Sequence, residues 1–167
     1  MTTIDLSHHL PCGFPVKTEE TILAGMMGVS IGLTIPLFVR ILSARDDLFT
    51  YHFGQKRLYE GAVMADFIDL VEHAFLGFFL AMLLALILGI YHYAYHYQGS
   101  KSIYLMRRLP STFELHRRCW AVPLAAIVIY AAALTLLFLL YFAFYLLITP
   151  KGCLAPHQWQ KIWSVIL

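Results

Sequence analysis

Residues 22–39, 74–90 and 119–149 contain no Asp, Glu, Lys or Arg, and these three uncharged stretches limit what the chain can become. A helix crosses the hydrocarbon with roughly 20 mostly apolar residues, and it satisfies its own backbone there, which an isolated strand cannot do. Composition points the same way. The chain is 60% hydrophobic and 13% charged, whereas soluble proteins run at about 45–50% and about 25%. The expected fold class is all-α: one integral membrane domain over residues 1–167, multi-pass, with about three transmembrane helices. A chain of 167 residues is too short to form a large channel or carrier alone, so a hetero-oligomer is expected.

The expected boundaries follow the charge pattern. The first transmembrane helix covers 22–42, and Pro36 kinks its far end. Residues 61–97 read as one long helix, with an amphipathic start and then the second crossing. Residues 100–118 form a basic loop, 119–149 the third crossing, and 150–167 an interfacial tail. The third run is about 45 Å long as a helix, more than the hydrocarbon needs, so it must tilt, protrude or kink, with Pro123 offering an early kink. In the tail, Trp159, Ile162, Trp163 and Ile166 recur at helical spacing, as in a helix lying on the membrane surface. Residues 43–60 read as a mixed-charge connector with interleaved aromatics, and 91–97 as an aromatic belt. The first 20 residues carry Asp5, Glu19 and Glu20 against Lys17 alone, unlike a signal peptide, so the first run is expected to stay as an anchor.

Charge and cysteines exclude several classes. A formal net charge of +2 gives no case for nucleic acid as a partner. Cys12, Cys119 and Cys153 have no CxxC spacing, so neither a zinc site nor a disulfide framework is expected. The positive-inside rule is tied: Lys17 and five loop residues face one side, and Arg40, Arg45, Lys56, Arg57, Lys151 and Lys161 the other. Charge density in the loop favours a cytoplasmic loop and a cytoplasmic N-terminus.

Three clusters are candidate sites. Gly25, Gly28 and Gly32 lie on or near one face of the first run, and Gly28-xxx-Gly32 has the spacing that lets helices pack closely in lipid. Asp66, Asp69 and His73 share a face at i, i+3 and i+7. That face could contact an ion or substrate, although a solvated helix start is the plainer reading. The loop holds five of the twelve Lys and Arg residues and has internal order. Ser102, Ile103, Leu105, Met106, Arg107, Arg108 and Leu109 form a short helix with an apolar patch, and Pro110 ends it. Ser111 and Glu114 have capping-box spacing and start the next helix. Such a stub suits a coupling element that docks a cytoplasmic partner. The plainer reading is a basic loop that sets topology and meets anionic lipid.

The run SKSIYLMRRLPSTFELHRRC, followed by a proline-containing apolar helix, resembles small bacterial, Firmicutes-type permease-like proteins related to type-2 ABC exporters. The resemblance is strongest over residues 91–150. It implies a non-ATPase transmembrane subunit of an ABC transporter, an exporter in the bacterial cell membrane. Its partners would be an ABC ATPase, a second and larger permease subunit, and membrane lipid. The docking helix would be 102–109. Such exporter domains usually have six crossings, so three make half a domain or an accessory scaffold subunit without substrate contact. No G-x-x-x-x-G-K-[ST] is present, so ATP and Mg belong to the partner. The chain is expected to be no enzyme and to hold no metal or cofactor of its own. The competing class is the membrane anchor of a haem or quinone complex, suggested by His92-xxx-His96. Against it, the first and third runs lack histidine.

Overall fold

A computed structural model of the chain describes residues 16–52, 55–59, 61–98 and 112–166. The described residues are mostly helical, and three helical segments are long and apolar enough to cross a membrane: Lys17–Asp46, Leu76–Ala94 and Cys119–Ile148. The elements are α1 (Val16–Gly32), α2 (Ile35–Asp46), β1 (Phe49–His52), β2 (Gln55–Leu58), α3 (Phe67–Val71), α4 (Leu76–Gln98), α5 (Thr112–Ile148) and α6 (Gln158–Ile166). Contacts divide the chain into two compact units, Met1–Ser30 with Gly77–Ala133, and Ile31–Leu76 with Leu134–Leu167.

Pro36 sets the break in the first span. A proline ring clashes with the carbonyl four residues earlier, here that of Gly32, and supplies no N–H. Helix α1 accordingly ends at Gly32, and α2 restarts at Ile35 with Pro36 in its first turn, where a missing N–H costs nothing. Thr34 bridges the gap. Its N–H and its hydroxyl both donate to the carbonyl of Ile31, at 3.0 and 2.7 Å.

In the first unit, α4 and α5 pack closely. A Cβ added at Gly89 would lie 3.0 Å from two carbons of the Trp120 ring and 3.4 Å from Pro123 Cβ. One turn further, Tyr93 stacks on His116 with centroids 5.3 Å apart. Helix α5 runs unbroken through Pro123. Tyr130 ties α1 to α5 by donating its hydroxyl to the carbonyl of Leu23, 2.9 Å away.

In the second unit, Phe67 is fully buried against Phe138, Phe142 and Tyr145, at centroid distances of 5.5, 5.2 and 5.4 Å. Tyr145 donates to the carbonyl of Ala65 and Tyr141 to that of Thr34, at 2.9 and 3.2 Å. Helix α6 folds back onto α3. Gln158 Oε1 accepts the Phe67 N–H at 3.1 Å, Gln158 Nε2 donates to Asp66 Oδ1 at 2.8 Å, and Lys161 Nζ sits 2.6 Å from Asp66 Oδ2. Asp66 is the N-cap of α3, but its carboxylate is drawn to α6 and caps nothing itself. Gln158 supplies the acceptor instead, satisfying an otherwise orphaned first-turn donor. Helix α6 thus confirms the helical spacing of the tail and adds docking on its own chain: Ile162 is buried, and Trp159 lies against Phe142 at 5.6 Å.

One expectation is corrected. Residues 61–97 are not one helix: 61–66 are non-helical, α3 is five residues long, and a turn with Glu72 at φ 32° precedes α4. The turn leaves Glu72 and His73 exposed while the next residues enter the apolar span. An unbroken helix would continue the charged register toward the hydrocarbon. The mixed-charge connector 43–60 carries the end of α2 and two paired strands. β1 and β2 pair antiparallel, with Phe49 opposite Leu58 and His52 opposite Gln55.

Candidate buried proton site

Glu19 and His92 are 73 positions apart in the chain, and they meet side chain to side chain in the first unit. Glu19 is in the first turn or so of α1, and His92 lies near the end of α4. They are 3% and 0% exposed. Burying a carboxylate is costly unless it is paired, and more so beside hydrocarbon. Glu19 Oε1 contacts His92 Nε2.

The other ring nitrogen is oriented by α5. Pro123 has no N–H to offer the carbonyl of Cys119, which is left without its helical donor. His92 Nδ1 lies 3.3 Å from that oxygen. A carbonyl can only accept, so Nδ1 carries a hydrogen and donates it. This leaves Nε2 and Glu19 Oε1 to share one proton, as imidazolium with carboxylate or as imidazole with carboxylic acid. Either arrangement is neutral overall. Glu19 Oε2 is buried with no hydrogen-bond partner among the described residues.

The residues expected from sequence fall in different places. Ser102, Ile103, Leu105, Met106, Arg107, Arg108 and Leu109 lie outside the described residues. Glu114 falls in the first turn of α5, which starts at Thr112 and agrees with a helix start at that point. Among the described residues, nothing beyond its own helix lies within 4 Å of a Cβ at Gly25, Gly28 or Gly32. The glycine face expected on α1 thus meets no other described element, whereas Gly89 is pressed against α5. Asp66, Asp69 and His73 form no joint site. Asp66 is bound to Lys161 and Gln158, Asp69 is exposed, and His73 pairs with Glu72 at 3.2 Å. Hydrogen bonding from Lys161, then from Gln158, holds the Asp66 carboxyl below its ordinary range against the opposing effect of burial.

Among the described residues, no group of three His, Cys, Asp or Glu side chains is placed to hold a metal ion. His92 uses both ring nitrogens, on Glu19 and on Cys119. Comparison with protein families, with curated proteins and with solved structures finds no match for this chain.

The Glu19–His92 pair is hidden in the sequence because Glu19 counts there only among the acidic residues of the first segment and His92 falls in an aromatic belt. One signal was present. A proline inside a membrane helix frees a carbonyl four residues back, and a neighbouring helix must supply the donor.

Proposed function

We propose that this chain is a non-ATPase transmembrane subunit of a bacterial ABC transporter, an exporter, coupling a partner ATPase to movement of substrate. It sits in the plasma membrane with its N-terminus and residues 99–111 cytoplasmic. The observation that supports this reading is the clasp between α4 and α5 next to that segment. Gly89 admits Trp120 at 3.0 Å, Tyr93 stacks on His116, and His92 bonds the Cys119 carbonyl. Force applied to the loop would reach two interlocked spans together, as a coupling element requires. Residues 102–109 dock the ATPase through Leu105, Met106 and Leu109, flanked by Arg107 and Arg108. Broad apolar faces such as Val128 and Leu136, 67% and 65% exposed, are available to lipid or to a larger permease subunit.

The test is purification from its natural host in mild detergent, with mass spectrometry of the retained proteins. A retained chain carrying a P-loop, lost on Met106→Asp and on Leu109→Asp, supports the reading. Retention that survives both substitutions, or a reporter fusion placing 99–111 outside the cell, overturns it.

A further inference from the structure

We propose that Glu19 and His92 form a membrane-buried site that binds one shared proton, and that this proton fastens α1 to the α4–α5 pair. The inference needs no ATPase and stands apart from the transporter reading.

Counting hydrogens carries the first step. His92 Nδ1 is committed as donor to Cys119, so the contact between Nε2 and Oε1 needs one hydrogen between them. Remove that proton, and a carboxylate faces a bare nitrogen lone pair in a site with almost no water access. The pair itself then bears a net negative charge, and its two facing atoms repel. Add a second proton, and its place is Glu19 Oε2, the buried oxygen without a partner. The pair itself then bears a net positive charge. The one-proton state is the only neutral one, and burial favours it over both neighbours.

The titratable residues described near the pair lie mostly toward water. On α1, Lys17 and Glu20 are exposed, as is Tyr91 on α4. Tyr93 on α4 is half-buried against His116, and on α5 His116 and Arg117 are exposed. The Cys119 thiol is buried beside the bonded carbonyl. A change in protonation of the Glu19–His92 pair alters the hold on α1, while Tyr130 keeps its separate bond to Leu23.

The experiment uses the full chain in nanodiscs with ring-15N histidine, and His92 is assigned by the signals lost in His92→Gln. Across about pH 5 to 9, spanning the ordinary histidine transition, the wild-type His92 keeps a protonated Nδ1 and a proton-sharing Nε2. A histidine open to water passes through its ordinary transition within that range. Glu19→Gln retains a hydrogen bond, because its amide donates to Nε2, but it removes the exchangeable proton. His92 is then neutral throughout, and Cys119 stays shielded from a maleimide. Glu19→Ala breaks the contact and speeds Cys119 alkylation by about tenfold, as for loss of one buried hydrogen bond. Wild-type His92 titrating with the exposed histidines, or His92 signals unchanged by Glu19→Gln, overturns the proposal. If Glu19→Ala fails to fold, the near-isosteric Glu19→Gln still decides it.

Discussion

His92 Nδ1 approaches within 3.3 Å of the carbonyl oxygen of Cys119, the carbonyl that Pro123 leaves without a donor one turn later. One side chain thereby serves two deficits, a freed backbone acceptor on α5 and a buried acid on α1. His92→Leu restores neither, and breaking a buried pair from one side costs about 3 kcal/mol. Adding Pro123→Ala to His92→Leu gives the Cys119 oxygen an N–H again and recovers about 1 kcal/mol. In the wild type, the same proline change gains less, because His92 already satisfies the oxygen. Denaturant titration of the four proteins in one detergent reads this as a double-mutant cycle. Strict additivity would show that His92 and Pro123 do not share the carbonyl.

The bond between Lys161 and Asp66 makes docking of α6 depend on acid pH. The Asp66 carboxyl is held below its ordinary value of 3.8, first by its hydrogen bond with Lys161. A carboxylate lowered in the folded state contributes stability that is complete above its unfolded value and lost as pH falls through the folded one. Docking therefore persists at mildly acid pH and weakens only below about 3.8. Asp66→Asn costs about 1 kcal/mol at neutral pH, since both partners are partly solvated, and it flattens this acid response. Trp159 emission, isolated by difference against Trp159→Phe, follows the release from Phe142. An acid midpoint unmoved by Asp66→Asn would assign the transition to another group.

The parts of this molecule that sequence made legible are those set by local chemistry. Three charge-free runs are three span-length helices, Pro36 marks the break after Gly32, and the spacing of Trp159 and Ile162 marks a terminal helix. What stayed hidden depends on residues distant in the chain. Glu19 meets His92 and Asp66 meets Lys161 across 73 and 95 positions, and no periodicity within one helix reveals such partners. The break at Glu72 was hidden for a similar reason. Residues 66–73 have a helical pattern, but Gln158 and Lys161 from α6 hold the start of α3. The hairpin left a weak trace, two short segments separated by Phe53-Gly54, a two-residue spacing with glycine that suits tight turns.

Gln158 makes two bonds of opposite sense from one amide, accepting from the Phe67 N–H and donating to Asp66. Gln158→Ala orphans a buried backbone donor and costs roughly 1–3 kcal/mol. Gln158→Glu keeps an acceptor for Phe67 but sets a second carboxylate against Asp66. It is therefore as damaging as alanine at neutral pH and recovers when acid protonates one of the two acids. Thermal unfolding followed through Trp159 at neutral and at acid pH separates these cases. A glutamate variant with equal deficits at both pH values would mean that the amide N–H toward Asp66 contributes little.

Glycine on α4 and glycine on α1 respond oppositely to the same added methyl group. At Gly89 the new carbon lies 3.0 Å from the Trp120 ring, a stiff indole that must shift by a few tenths of an ångström, with Pro123 at 3.4 Å beside it. Overpacking of this kind costs about 1 kcal/mol for Gly89→Ala and more for Gly89→Leu. At Gly28 nothing among the described residues beyond its own helix lies within 4 Å, and alanine is the better helix former, so Gly28→Ala is neutral or gains up to about 1 kcal/mol in the isolated chain. Trp120→Leu removes the stiff ring and rescues Gly89→Ala in part, whereas it has no effect on Gly28→Ala. Unfolding of the purified chain in detergent measures all of these variants. If Gly28→Ala destabilises the chain only when it is purified with its partners, α1 is then packed against another subunit through the face that carries this glycine.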